Sequence, residues 1–161
     1  MEKTAPIKRS KNLLTLSREH HDSLLIVWKI RRGLNKQIAL KEIVAYIVYC
    51  WEQHLRKHFL QEEQYLFNPY KQEPLCAEVL KQHQQLKNGV DSFKDEQNAT
   101  GEAIKDFADK LEQHIRFEER EVFPQLETKI ASAELIVIGE ALNKEHSKFP
   151  DEWENPFWIY K

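Results

Sequence analysis

The stretch His58–Phe67, which reads HFLQEEQYLF, returns in outline at His114–Phe123, which reads HIRFEEREVF. Both copies have histidine at the first position, glutamate at the fifth and sixth, and phenylalanine at the tenth. Residues i and i+4 lie on the same face of an α-helix, so each copy places an imidazole and a carboxylate on neighbouring turns. Two such pairs that face each other inside a helical bundle would form a metal site.

The repeat supplies four candidate metal ligands, namely His58, Glu62, His114 and Glu118. One His-x-x-x-Glu pair alone is more often a solvated pair on a helix surface than a metal site. Two copies favour a buried site instead. The second glutamate of each copy lies one position further around the helix. We expect it to support a ligand or to lie at the surface rather than to bind metal.

The rest of the chain is typical of a helical domain. It has 161 residues, 31% of them charged and 41% hydrophobic, with only four glycines, which is enough for one domain with a real core. Helices are predicted over residues 16–32, 36–67, 73–97, 102–129 and 132–148, with Gly33 as the stop of the first. We therefore predict an all-α fold, an up-down-up-down four-helix bundle with a short C-terminal fifth helix and an aromatic tail that packs back on it. The bundle would be a single domain over residues 13–161 after a flexible lead-in over residues 1–12.

Up-down-up-down topology places histidines from all four long helices at one level of the bundle. The ligands should lie early in the first and third helices and late in the second and fourth. These positions hold His20 and His21, then His58, then His83, then His114. The chain has only seven histidines, so this coincidence supports one shared site.

The first helix offers two alternatives, His20 and His21, which are adjacent and therefore about 100° apart around the helix axis. The apolar face of that helix is centred nearer to His20. His21, by contrast, stands three residues before Leu24, as His83 stands three before Leu86. We favour His20 and keep His21 as a candidate.

Two further histidines are assigned supporting roles. The sequence around His54, Glu52-Gln-His-Leu-Arg56, echoes the sequence around His114, which would make His54 the counterpart of His114. The i,i+4 pairing with Glu62 favours His58 as that counterpart. His54 is then expected beside the site or at the edge of the core, and His146, which lies outside the pattern, is expected to be structural.

Four imidazoles and two carboxylates are more ligands than one metal ion needs. Imidazole suits iron, zinc and copper, and carboxylates can bridge two metals. Two metals with two histidines each and two bridging glutamates would keep coordination positions open. Iron is favoured over zinc or manganese, because zinc does no redox chemistry and needs fewer ligands. Open positions on iron point to a small diatomic ligand or peroxide.

The pattern resembles the hemerythrin-like, HHE cation-binding family over about residues 13–130. The family has a histidine on helix 1, His-x-x-x-Glu on helix 2, a histidine on helix 3 and His-x-x-x-Glu on helix 4. The resemblance maps these ligands onto His20 or His21, His58 with Glu62, His83, and His114 with Glu118. It implies a di-iron centre in a four-helix bundle.

Two positions depart from the pattern of the oxygen-carrying members. Those members carry an additional histidine one turn after the helix-3 ligand, where this chain has Lys87. They also use an aspartate five residues after the helix-4 histidine, where this chain has Glu119. The resemblance is therefore nearer to the di-iron proteins linked to iron–sulfur repair and nitric oxide than to oxygen carriers.

Composition narrows the partners and the location. A net charge of −2 gives no sign of nucleic-acid binding, and no apolar run approaches the ~20 residues of a membrane span. Cys50 and Cys76 lack CxxC spacing and no signal peptide is recognisable, so a cytoplasmic monomer or homodimer is expected. Two other functions stay open, an iron storage or donation protein and a metal-free helical interaction module.

Overall fold

The computed structural model describes residues 9–159, and within that range every regular element is helical. Helix α1 spans Leu14–Asn35, α3 spans Pro74–Ser92 and α5 spans Ser132–Glu145. Helix α2 covers residues 40–67 and helix α4 covers residues 101–129. Short 3₁₀ turns form at Glu96–Asn98 and Phe157–Ile159. The predicted all-α class is confirmed.

Helices α2 and α4 are interrupted by π-helical turns. In α2, these turns are Trp51–Leu55 and Glu63–Phe67, which flank the α-helical segment Arg56–Glu62. In α4, the turn is Glu118–Val122. A π turn adds a residue to the helix and is frequent at functional sites. Two of the three start at or directly after a candidate ligand, Glu118 and Glu62, and so set the direction of these carboxylates.

Two apolar clusters fill the bundle, and a polar layer separates them. One cluster takes Ile30 from α1, Ile47 from α2, Val90 from α3 and Leu111 from α4. The other cluster takes one or more residues from each of the same helices, among them Leu16, Leu66, Val79 and Leu126. Along each helix, the change from one cluster to the other falls at or next to the candidate ligands. Burial of apolar surface above and below the layer thus fixes its height in the bundle.

The first helix does not stop at Gly33, as the sequence suggested, but continues to Asn35. Gln37, with φ of 57°, makes the turn instead. Gly33 serves packing, because a Cβ built there would lie 2.7 Å from a ring carbon of Phe157. The absent side chain makes room for the C-terminal tail rather than for a turn.

Replacing Gly33 by alanine is therefore expected to destabilise the protein. Overpacking typically costs about 1–3 kcal/mol, against which the gain of alanine in a helix interior is about 1 kcal/mol. Gly101 is the matched control, since a Cβ there would meet nothing within 4 Å. Urea unfolding should give a lower midpoint for Gly33→Ala and an unchanged or higher one for Gly101→Ala. Equal midpoints would contradict this account of Gly33.

The two ends of the described chain pack on the bundle. The predicted flexible lead-in covers residues 1–12, of which residues 1–8 lie outside the described residues. Arg9, in the described part, forms ion pairs with Glu119 at 2.9 Å and Glu127 at 3.0 Å. In the tail, Phe157 and Trp158 are buried against Tyr46. The predicted packing of the tail is confirmed for its described part.

Two further observations concern the sequence predictions on location. None of the helices in residues 9–159 has the length and apolarity that crossing a bilayer requires. Cys50 and Cys76 are both buried free thiols, and burial raises the pKa of each. Neither thiol is therefore a reactive nucleophile.

Candidate metal centre

Six of the seven candidate ligands meet in the polar layer. Four are imidazoles and two are carboxylates, and all are buried: His20, His58, His83, His114, Glu62 and Glu118. The seventh, His21, is exposed on the outer face of α1. The 100° between neighbouring helix positions separates the two histidines of α1, and the structure brings only His20 to the layer.

The six side chains form two clusters of four. One consists of His20, His58, Glu62 and Glu118, and the other of Glu62, His83, His114 and Glu118. Within each cluster one ligand atom per residue lies within 4.8 Å of the others. Glu62 and Glu118 belong to both clusters, whereas each histidine belongs to one.

The Nε2 atoms of all four histidines point toward the shared carboxylates. His20 Nε2 lies 2.9 Å from Glu118 Oε2, and His58 Nε2 lies 3.2 Å from Glu62 Oε1. In the second cluster, Glu118 Oε1 lies 2.8 Å from His114 Nε2 and 3.3 Å from His83 Nε2. The arrangement gives each cluster two imidazole nitrogens and carboxylate oxygens from both glutamates.

The opposite ring nitrogen, Nδ1, of every histidine contacts an oxygen of a neighbouring helix. His20 Nδ1 lies 2.6 Å from Glu119 Oε1, and His58 Nδ1 lies 2.7 Å from Glu19 Oε1. The remaining two contacts are His83 Nδ1 to Glu63 Oε2 at 3.2 Å and His114 Nδ1 to Gln82 Oε1 at 2.8 Å. Carboxylate and amide oxygens accept hydrogen bonds, so Nδ1 carries the proton in each ring. Nε2 is therefore the nitrogen that can bind a metal, once it has lost any proton of its own.

These supports run once around the bundle. A residue of α1 contacts the histidine of α2, and a residue of α2 contacts the histidine of α3. In the same way, a residue of α3 contacts the histidine of α4, and a residue of α4 contacts the histidine of α1. In α1 and α3 the supporting residue, Glu19 or Gln82, directly precedes the candidate ligand histidine. In α2 and α4 it is the second glutamate of the repeated stretch, Glu63 or Glu119. The two halves of the chain are therefore related by approximate twofold symmetry at the site.

Glu19 and Gln82 were not predicted from the sequence to belong to the site. The only signal for them is that each stands one residue before a predicted ligand, which does not reveal that its partner lies on another helix. Glu63 and Glu119 were expected to support ligands or lie at the surface, and they contact His83 and His20. His54 lies beside the site and stacks against His58 with 6.0 Å between ring centroids.

The electrostatics of the layer show how strongly these groups interact. Burial by itself lowers the pKa of His20, but the carboxylates of Glu118, Glu119 and Glu62 outweigh it and raise that pKa well above its usual range. Burial would raise the pKa of Glu118, but the neighbouring histidines hold it well below its usual range. The layer thus attracts positive charge at its centre, either protons or metal ions.

Several buried atoms of the layer lie close to an atom of opposite charge but lack the geometry of a hydrogen bond to it. These are Nε2 of His20 and of His58, both carboxylate oxygens of Glu62, and Oε2 of Glu118. A buried polar atom without a partner costs about 1–3 kcal/mol, more when it is charged. Cations held by these nitrogen and oxygen atoms would satisfy them, so the residues present fit a bound metal.

A cavity of about 310 Å³ lies between α2 and α3 and reaches the second cluster at His83. The ring of Phe59 stacks on His83 with 4.2 Å between centroids and forms part of the wall. Lys87, one turn beyond His83, also lines this cavity. A second cavity of about 240 Å³ between α3 and α4 reaches His114. Both openings lead to the cluster of His83 and His114.

Comparison with known proteins gives one match. The family model described as hemerythrin HHE cation binding domain matches residues 12–126 of this chain, which is well over half of it. Neither the curated proteins nor the solved structures contain a match. The matched range includes all six residues of the two clusters and ends before α5.

Proposed function

The chain belongs to the hemerythrin HHE cation-binding domain family, and from this premise we propose that it holds two iron ions, one in each His/Glu cluster, and that this centre binds or reacts with O₂, NO or peroxide. The metal-binding role follows from the family and from the buried clusters. The identity of the metal, the number of ions and the small ligand are the content of the proposal.

One observation carries the two-metal proposal, namely that both buried carboxylates are shared between the clusters. A single ion would need only one cluster, and the two histidines of the other cluster would then have no metal to bind. A carboxylate has two oxygens and can bridge two ions, as in di-metal bundles whose ligands project inward from facing helices. Glu62 and Glu118 have the position that such bridges require.

The donor set favours iron. Two histidines with carboxylate oxygens and open positions are the ligands of non-haem Fe(II) sites that handle oxygen. A structural zinc site would be closed by four ligands. Iron supplies the redox chemistry and an open position for a small molecule. The protein contributes four imidazoles held by Nδ1 contacts, and two apolar clusters that exclude bulk water from the layer.

The cavity beside His83 supports the choice of a small ligand. It approaches the second cluster from the side of Lys87, where the oxygen-carrying relatives have a further histidine. A lysine at this exposed position adds no third nitrogen ligand to the second cluster, so a coordination position would stay available there. We therefore place the chain nearer to the nitric-oxide and iron–sulfur-repair type than to reversible oxygen carriers, in the reducing cytoplasm that suits its free thiols.

Metal analysis with a visible spectrum tests the proposal. Protein made in iron-replete cells and purified without a histidine tag should contain two iron ions per chain. Its visible charge-transfer absorption should change when NO, azide or peroxide is added. The variant His21→Ala, which alters an exposed histidine outside both clusters, should match the wild type.

Other results would support other functions. Iron storage or donation would be indicated if a weak chelator readily removed both irons and the visible spectrum did not change on addition of NO or azide. A stable helical chain that takes up no Fe(II) would contradict the proposal and leave the helical interaction module.

A further inference from the structure

The last residue of α5 and the segment that follows it cross the face formed by α1 and α2 at the level of the metal centre. We name residues 145–151 the C-terminal strap. Tyr65 Oη donates a hydrogen bond to Glu145 Oε1 at 2.6 Å, and Lys57 Nζ donates to Ser147 Oγ at 2.8 Å. Tyr46 Oη donates to Asp151 Oδ2 at 2.6 Å. The strap lies beyond residue 126, where the family match ends, so the family pattern does not account for it.

One residue of the strap reaches the ligands through a single intermediate. His146 Nδ1 lies 2.8 Å from Glu19 Oε2, while the other oxygen of Glu19 lies 2.7 Å from Nδ1 of His58. Glu19 is only 5% exposed. Both of its oxygens are thus occupied, one by His58 and one by His146, and the two contacts together restrict rotation of the carboxylate.

A second contact from the strap reaches the same ligand. Phe149 stacks on His54 with 4.9 Å between ring centroids and 22° between the ring planes. His54 in turn stacks against His58, and its Nε2 lies 3.2 Å from Ser23 Oγ of α1. The strap therefore constrains His58 both at Nδ1 and on its flank.

The second cluster is supported differently. His83 and His114 are held by Glu63 and Gln82, which belong to α2 and α3 inside the family match. The cavities that reach these two histidines are lined by residues of α2, α3 and α4. The strap thus contacts only one of two clusters that have the same set of residue types.

We propose that His146, which lies in the C-terminal strap, is a positioning residue of the metal centre and acts through Glu19 on His58. Its role is to set the affinity of the cluster of His20 and His58 for its metal ion. The inference rests on the proposed function, because it needs a metal in each cluster. It adds a residue outside the family domain to the set that determines metal binding.

The expected loss of metal affinity follows from the position of Glu19, which contacts His58 but belongs to neither cluster. Removing a group that hydrogen-bonds a metal-ligating histidine typically weakens metal affinity by about 10–100-fold. His146 is one step further away, so His146→Ala should weaken one ion by roughly 10-fold, the lower end of that range. His58 belongs to one cluster only, so the second ion should be unaffected.

Anaerobic titration with Fe(II) against a chromophoric chelator gives the two dissociation constants. Wild type, His146→Ala and His146→Asn should be compared, because an asparagine amide can donate at the place of Nδ1 and should restore much of the affinity. Ser147→Ala removes the contact with Lys57 but not the one with Glu19, and His21→Ala removes an exposed histidine. Both controls should keep the wild-type constants, and circular dichroism should show equal helicity throughout.

The outcomes separate this inference from the function on which it rests. Weakening of one constant in His146→Ala, with recovery in His146→Asn, supports the positioning role. Unchanged constants, or equal weakening of both ions in His146→Ala and Ser147→Ala alike, would overturn it while leaving a wild-type protein with two irons. A wild type that binds no Fe(II) would overturn the proposed function and this inference together.

Discussion

Replacing Glu118 by alanine is expected to remove both metal ions, whereas replacing His114 by alanine is expected to leave one in place. Glu118 lies in both clusters, with one oxygen 2.9 Å from His20 Nε2 and the other 2.8 Å from His114 Nε2. His114 lies in one cluster only. Loss of Glu118 would remove one of the two proposed bridges and one of the two buried carboxylate charges that offset the cations.

Iron content per chain and the visible spectrum measure this difference. Glu118→Ala and Glu62→Ala should both fall close to zero iron, and His114→Ala should retain about half of the wild-type iron if the clusters bind independently. Glu121→Ala is the matched control, since this glutamate lies in the same π turn but is exposed. A Glu118→Ala protein that keeps one full iron would contradict the shared, bridging role.

The sequence predicted which side chains would meet in the polar layer because two independent periodicities converge on them, and their role as metal ligands stays a prediction. Spacing of i,i+4 joins each histidine of the repeat to its glutamate, and up-down-up-down topology brings His83 and one histidine of α1 to the same level. Both rules depend only on helix geometry, which the sequence encodes locally. The choice between His20 and His21 was harder, since it depended on how the apolar face of α1 meets the other helices.

The supports of the ligands could not be predicted in this way. Each of them crosses from one helix to the next, and the partner is set by the rotation of two helices about their own axes. Glu19 supports His58 across 39 positions of sequence, and His146 contacts Glu19 across 127. No spacing rule connects residues that far apart, so only the folded arrangement reveals them.

Gly33 gives the same lesson for the fold. A glycine near the end of a predicted helix is a common stop signal, and by local rules the interpretation was sound. The glycine is instead required by Phe157, more than a hundred residues away, whose ring occupies the space of the missing side chain. The reason for glycine at this position is long-range packing rather than a local helix stop, and the helix continues for about half a turn beyond it.

Removal of the metal is expected to lower the midpoint of thermal unfolding by roughly 10–20 °C. A ligand that binds only the folded state stabilises it by about 2.7 kcal/mol per site when its free concentration is 100 times the dissociation constant. Two sites would then contribute about 5 kcal/mol, and each kcal/mol shifts the midpoint by about 2–4 °C for a domain of this size. The metal-free chain should remain folded at 25 °C, because its two apolar clusters and the ion pairs within the layer persist without metal.

Calorimetry of the iron-loaded protein before and after chelation, with the chelator then saturated by added Fe(II), tests this expectation. The midpoint should fall and then recover, while Glu118→Ala should unfold at one temperature under all three conditions. His21→Ala should behave as the wild type does. A helical module whose histidines serve only the core would, by contrast, unfold at the same temperature with or without iron. A midpoint that ignores chelation in a protein shown to contain iron would place that iron outside the buried layer and contradict the site.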